Sequence, residues 1–195
     1  MDIKTYSGED FSPLIPDISR LRITVFREFP YLYDGDVAYE MQYLRHYIDS
    51  PKSVVIVARD GDVVVGASTG LPLNDADGAF QDAFQNADID PQRVFYFGES
   101  VLAKAYRKQG VGGRFFDLRE AHARNGGFEI CAFCAVERHA DPRQPADYRP
   151  LHGFWQRRGY THRPDLTASF RWKEVGDAHE TDHIMSFWLK TLEPA

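Results

Sequence analysis

The chain is short of cysteine, of long apolar runs and of clustered positive charge, and each shortage removes a class of function. Cys131 and Cys134 are its only cysteines. They fall in "FEICAFCAVE", where a redox pair or half a zinc site competes with a plain buried strand. Residues three apart on a strand point to opposite faces, so two separate core thiols are expected. No apolar run approaches the roughly 20 residues that span a bilayer. The start "MDIKTYSGEDFS" lacks the basic residues and apolar stretch of a signal peptide. A cytoplasmic location without membrane attachment is the expectation. A net charge of -6 with no basic run offers nucleic acid no electrostatic footprint. That sign suits a cationic small molecule or a lysine-bearing substrate.

Two phosphate-binding fingerprints are also missing. Gly110-Val111-Gly112 is followed by Gly113, Arg114, Phe115 and Phe116, so the dinucleotide motif G-x-G-x-x-G fails at its last glycine. No G-x-x-x-x-G-K-[ST] occurs either, which argues against a P-loop nucleotide hydrolase.

What is present points to one globular domain spanning residues 1–195. A hydrophobic share of 43% separates the chain from disordered sequences, and 195 residues are enough for one well-buried core but short for two. No repeat, linker or low-complexity segment marks a boundary. Residues 2–6 form a candidate first strand. Ile15, Ile18, Leu21, Val25 and Phe29, then Met41, Leu44 and Ile48, recur at helical spacing and predict two amphipathic helices that pack on a sheet. "SVVIVARDGDVVVGASTGL" predicts a hairpin turning at Asp60-Gly61. From Pro72 to Arg93 the chain turns acidic and loses periodicity apart from a short helix around 79–84. Its "NDADG" lacks the later acidic ligands of a calcium loop, so a solvated surface loop is expected. After "FEICAFCAVE" come the polar loop "RHADPRQPADYRP", a helix near 151–158 ended by Gly159, and two closing strands, "ASFRWKEV" and "HIMSFWLKTL".

The stretch "AYRKQGVGGRFFDLREAHAR" places glycines at the entrance of a helix. Val111, Phe115, Leu118 and His122 share one face, charged Arg114, Asp117, Arg119, Glu120 and Arg124 fill the other sides, and "NGG" ends the pattern. Glycine permits positive φ and close approach of a ligand to the backbone. The first N–H groups of a helix lack partners and the peptide dipoles make that end partly positive. An anion seat best suited to phosphate follows, with Arg107, Lys108 and Arg114 adding cations. A mere tight turn is the competing reading, and the strand-like "VFYFGESVLA" leading into the loop favours the seat.

"SVLA" followed by R-x-x-G-x-G, here Arg107-Lys108-Gln109-Gly110-Val111-Gly112, resembles motif A of the GNAT N-acetyltransferases. "FWQRRGY" (154–160) is similar to a later helical element of that family, in the same order along nearly the whole chain. The resemblance implies an α/β GNAT fold: a single mixed central sheet of about six or seven strands, flanked by helices and splayed between the fourth and fifth strands. It implies acetyl transfer from acetyl-CoA, a co-substrate used without a metal, to a primary amine of a small molecule or peptide by direct attack in a ternary complex. It places the pyrophosphate on backbone groups of Arg107, Lys108, Gln109, Gly110, Val111, Gly112 and Gly113, and the pantetheine arm along Val101, Leu102 and Ala103. Lys104 stands where the family usually has proline. Dimers are common in the family, so a homodimer is part of the same expectation.

Glu99 is the candidate general base that the resemblance implies, because a carboxylate within "FYFGESVL" is costly to bury without a purpose or a partner. An ion pair with a neighbouring Arg or Lys is the alternative, and Glu137 is the reserve base. The family's thiolate-protonating tyrosine aligns with Trp155, which has no suitable acidic proton. Tyr148, Cys134 or a water would have to substitute, or the thiolate would leave unassisted. A non-catalytic acyl-CoA binder of the same fold is therefore an alternative function. A further rival is a zinc metallohydrolase, since "HETDH" matches H-E-x-x-H with His179, Glu180 and His183. That motif needs a helix, and Gly176 and Asp177 before it predict a β-turn.

Overall fold

Alternating apolar residues and turn chemistry build one mixed sheet with helices on both faces. The computed structural model describes residues 1–85, 87–138 and 140–193. Asn86, in the acidic segment, and His139, in the polar loop, therefore lie outside the described residues, as does the end of the chain from 194. The strands are β1 (Asp2–Tyr6), β2 (Val54–Asp60), β3 (Val63–Pro72), β4 (Val94–Tyr96), β5 (Ser100–Leu102), β6 (Ile130–Val136), β7 (Thr161–Lys173) and β8 (Glu180–Thr191). Among the described residues they run in the order β1-β2-β3-β4-β6-β8-β7, with β5 paired on β3. The pairing of β4 with β6 is parallel and the others are antiparallel. Among the described residues the sheet has eight strands where about six or seven are expected, because the run from Val94 to Ala103, read as one strand, is broken into β4 and β5.

Helices α1 (Ile15–Phe26) and α2 (Val37–Asp49) bring Ile15, Ile18, Leu21, Leu44 and Tyr47 to one face of the sheet. Helix α4 (Val111–Asn125) covers the other with Val111, Phe115, Phe116 and Ala123. Truncating a core ring such as Phe115 to alanine costs about 3–5 kcal/mol. Helices α3 (Gly78–Asp82) and α5 (His152–Arg157) are short. No helix among the described residues is long and apolar enough to cross a membrane.

Four local expectations change. Asp60 pairs with Val63, so the hairpin turn is Gly61-Asp62, one residue later than read, with Gly61 at φ +57° supplying the left-handed residue. Strand β7 begins at Thr161 instead of Ala168, because a register shift between Arg163 and Thr167 absorbs Pro164 and lets both ends pair with β8. The segment 72–93 is not a solvated loop. Phe84 is 1% exposed against Phe187, and Phe80 lies 4.4 Å from the Tyr96 ring and 4.6 Å from that of Phe170. Finally, Arg119 and Glu120, assigned to the polar side of α4, are buried. Glu120 is satisfied by Tyr160 Oη at 3.2 Å and Lys190 Nζ at 2.8 Å.

Candidate active site

Strand β5 leads through Ala103 and a single helical turn, Lys104–Tyr106, into the glycine loop. Gly110 caps α4 at φ +85°, and the first bond of that helix runs from the Arg114 N–H to the Gly110 carbonyl at 3.0 Å. The N–H groups from Gly110 to Gly113 are thus left without intrahelical partners, at the positive end of the dipole. Gly112 and Gly113 have ordinary helical φ, and Lys108, at φ +62°, is the second left-handed residue of the loop. A Cβ built on Gly112 meets nothing within 4 Å, so the space over the helix start is open. The Arg107 guanidinium does not point its charge freely at that space. It pairs with Glu28 through Nη1 at 2.7 Å and Nη2 at 3.2 Å, and Nε donates to the Leu102 carbonyl at 3.0 Å. Lys108 and Arg114 are exposed at the loop.

Just upstream, the break between β4 and β5 is a β-bulge. Tyr96 faces Leu71 and Ser100 faces Ser68, which leaves Phe97, Gly98 and Glu99 opposite only Thr69 and Gly70. One extra residue reverses the alternation of side chains. Tyr96 and Val101 therefore lie in the same core, with α1 and α2, while Phe97 lies in the α4 core. Glu99 is carried to the α1 and α2 face, where Arg22, Tyr43 and Tyr47 meet it. Beyond the bulge β5 pairs with β3 alone among the described residues, so the sheet opens between β5 and the end of β6. Gly98 makes the bulge possible, since a Cβ there would overlap the Tyr47 hydroxyl and Thr69 Oγ1. Gly98→Ala is expected to cost about 1–3 kcal/mol, the range for overpacked cores, measured by urea unfolding. A variant as stable as the parent would show that the bulge has room to relax.

Glu99 is buried, its side chain 2% exposed. Arg22 Nη1 lies 2.7 Å from Oε2. Tyr43 Oη donates to the same oxygen at 3.1 Å, and Tyr47 Oη approaches it at 3.5 Å. Oε1 has no hydrogen-bond partner. Arg22 also pairs through Nε with buried Glu40, and its guanidinium lies 4.4 Å from the centre of the Tyr43 ring. Burial acts to lower the Arg22 guanidinium, but the Glu99 charge, with Tyr43 and Glu40 beside it, holds it well above the usual arginine value. Burial first, then the Glu99 charge, pushes Tyr43 and Tyr47 above the ordinary tyrosine range, so both hydroxyls stay protonated donors. From the opposite face Arg119 reaches the bulge through Nη1 to the carbonyls of Thr69 at 3.2 Å and Glu99 at 3.3 Å, and through Nη2 to Ser100 Oγ at 2.8 Å. Burial pulls Arg119 down to about 10.

The family model described as the acetyltransferase (GNAT) family matches residues 19–160. The chain belongs to the GNAT acetyltransferase family. Among solved structures it is similar to ribosomal-protein-alanine N-acetyltransferase from Brucella melitensis, at 13% identity and TM-score 0.63 over 98% of this chain and 100% of that one. It is similar to yncA from Salmonella typhimurium, solved with acetyl-CoA, at 12% identity and TM-score 0.59 over 100% and 96%. An aminoglycoside 6'-N-acetyltransferase complexed with coenzyme A aligns at 16% identity and TM-score 0.58 over 100% and 99%. At these identities the likeness is one of fold. No curated protein sequence matches the chain.

The remaining candidates of this GNAT chain are dispersed. Glu137, at the end of β6, accepts from Ser186 Oγ and lies 3.4 Å from His162 Nε2, away from the Glu99 cluster. Trp155 packs against Phe133 and Trp188 at 5.0 and 5.1 Å. Cys134 sits in the α1 and α2 core beside Tyr96 Oη, pushed up to about 12 by burial, and Cys131 lies in the opposite core. Tyr148 meets the edge of Phe29 at 4.7 Å, and burial raises its hydroxyl above the ordinary value. The "HETDH" segment is only partly the expected turn, since β8 already starts at Glu180. Extended backbone sets residues four apart roughly 13 Å from each other, and the His183 ring stacks on Trp172 at 3.7 Å. The one-turn spacing that H-E-x-x-H needs is absent.

Proposed function

We propose that this GNAT chain is an acetyl-CoA-dependent N-acetyltransferase that acetylates a primary amine by direct attack in a ternary complex. The observation that carries the reading is Glu99. The bulge holds a buried carboxylate with one free acceptor oxygen on the strand that runs straight into the glycine loop. The coenzyme fits the chain's own features: four N–H groups without intrahelical partners and open space above Gly112 for the pyrophosphate, and, for the pantetheine arm, the side of β5 turned away from β3 along Val101, Leu102 and Ala103, where the Ala103 N–H is held by the Val65 carbonyl at 2.8 Å and the Leu102 carbonyl by Arg107 Nε at 3.0 Å. In this reading the backbone from Arg107 to Gly113 makes the phosphate contacts, and the Arg107 side chain fixes the loop by its ties to Glu28 and Leu102. Acetyl-CoA supplies the activated acyl carbon. Glu99 takes the ammonium proton, since a protonated amine has no lone pair for attack.

A second reading, an acyl-CoA binder without turnover, draws on Trp155 in the place of the acid and on the Arg22 pair that occupies Glu99 Oε2. Two measurements separate the readings. Acetyl-CoA at a hundredfold excess over Kd is expected to stabilise the fold by about 2.7 kcal/mol, seen as a rise in Tm. Thiol release across a panel of primary amines is expected to depend on the amine and to be unchanged by a chelator. A Tm that acetyl-CoA does not move would overturn coenzyme binding. A raised Tm without thiol release on any amine would leave the binder.

A further inference from the structure

Arg22 does not make the two-pronged fork that a guanidinium commonly makes with one carboxylate. It is divided between two: Nε donates to Glu40 Oε2, and Nη1 lies 2.7 Å from Glu99 Oε2. All three side chains are withdrawn from water, Glu40 to 1% exposed, Glu99 to 2% and Arg22 to 9%. One positive charge thus serves two buried carboxylates, and one oxygen of each, Glu40 Oε1 and Glu99 Oε1, has no hydrogen-bond donor. Among the described residues no other cation pairs with either side chain. The remaining titratable groups around them are Tyr43 and Tyr47 of α2, both on Glu99 Oε2, Tyr33 beside Glu40, and Arg119 of α4, which meets Glu99 through its main-chain carbonyl. Burial, then the Glu40 charge, raises Tyr33 above the ordinary tyrosine range, so it stays a neutral phenol.

A carboxylate in the first turn of α2 would serve the helix dipole from the surface, and burial against Arg22 adds nothing to that role. From the divided guanidinium we infer that Glu40 is a positioning residue for the proposed base: it draws part of the Arg22 charge away from Glu99 and turns the fork so that Nη1 alone reaches Oε2, leaving Oε1 to take the proton. The inference rests on the transferase reading above and deepens it. With a neutral group at position 40, the guanidinium would belong to Glu99 alone and could close on both of its oxygens. A carboxylate held by a whole positive charge, with no second anion beside it, accepts a proton less well. Glu40 therefore acts through Arg22, and the proton that the amine loses rests on Glu99. Removing Glu40 is expected to weaken the base without touching the coenzyme.

The test follows isotopically labelled glutamate carboxyl carbons by NMR through the carboxylate range of pH, with Glu40→Gln and Glu99→Gln assigning the two resonances by their loss. Glutamine keeps the length and an acceptor for Arg22 Nε, so Glu40→Gln should fold. Its Glu99 resonance is expected to titrate about one pH unit or more below the parent's, and Glu40→Asp, which keeps the charge, to return most of that shift. In the parent the two carboxylates are expected to titrate as a coupled pair, each resonance recording both steps, a reading that needs no variant to fold. A Glu99 resonance unmoved in Glu40→Gln, or two independent single-step curves in the parent, overturns the role; a merely structural Glu40 lowers Tm and leaves the curves alone. Turnover of phenethylamine, spermidine and an alanine-initiated tetrapeptide separates this result from the reading it rests on. In Glu40→Gln the acid limb of kcat/KM is expected to move to lower pH with the resonance, while the KM for acetyl-CoA holds. A moved resonance without thiol release on any amine keeps the hold of Glu40 on Glu99 and removes the transferase reading; a moved resonance with an unmoved acid limb removes Glu99 as the base, and Glu40 with it.

Discussion

Gly112→Asp is expected to give a protein that folds at least as well as its parent and binds acetyl-CoA at least a hundredfold more weakly. The two halves of this expectation come from the same place. A Cβ at Gly112 has no neighbour within 4 Å and the residue has no positive φ, so the fold meets neither clash nor strain. A carboxylate in the first turn of α4 is favourable to the helix dipole, by about 0.3–1 kcal/mol. The same carboxylate fills the open space and sets a negative charge where the pyrophosphate is proposed to sit. The dipole term then acts against the ligand twice, through repulsion and through donors already occupied. The measurement is a pair: Tm without ligand, then the Kd for acetyl-CoA. A stable variant with parental Kd would show that the anion seat lies elsewhere.

The second large effect is expected from Glu99→Gln. Glutamine keeps the length and an acceptor for the tyrosine hydroxyls but cannot take a proton. If Glu99 is the base, kcat falls by about 10²–10⁴ while coenzyme affinity holds, and raising the pH restores part of the rate because more of the amine is neutral. Arg22 retains Glu40 in this variant, so the loss of stability should be smaller than the several kcal/mol of an arginine left with no partner at all. A purely structural Glu99 predicts the reverse: a lower Tm and a pH profile shaped like the parent's. A stable variant with near-parental activity at neutral pH would move the base to Glu137, which the structure places beside Ser186 and His162.

Local chemistry made the glycine loop, α4 and the hairpin legible, because helix starts, apolar spacing and turn residues are written within a few positions. The surroundings of Glu99 were hidden by two non-local facts. Arg22, Tyr43 and Tyr47 reach it from helices far earlier in the chain, and no spacing rule connects them to β5. The bulge reverses strand parity, so uninterrupted alternation would have put Glu99 on the same side as Phe97, in the α4 core. Arg119 was legible in principle, since Val111, Phe115 and Arg119 follow each other at intervals of four on the buried face. Its charge argued for solvent, and the carbonyls of Thr69 and Glu99 that hold it came only with the fold. The acidity of the 72–93 segment likewise concealed Phe80 and Phe84, whose partners Tyr96, Phe170 and Phe187 lie on three other strands.

The reach of Arg119 makes helix α4 a ruler. Its first turn carries the proposed anion seat, and Arg119, two turns further on, grips the carbonyls of the bulge that carries Glu99. Seven residues of helix, roughly 10 Å at 1.5 Å each, therefore set the offset between the proposed phosphate seat and the carboxylate. The spacing between the proposed phosphate seat and the carboxylate is thus fixed within one helix.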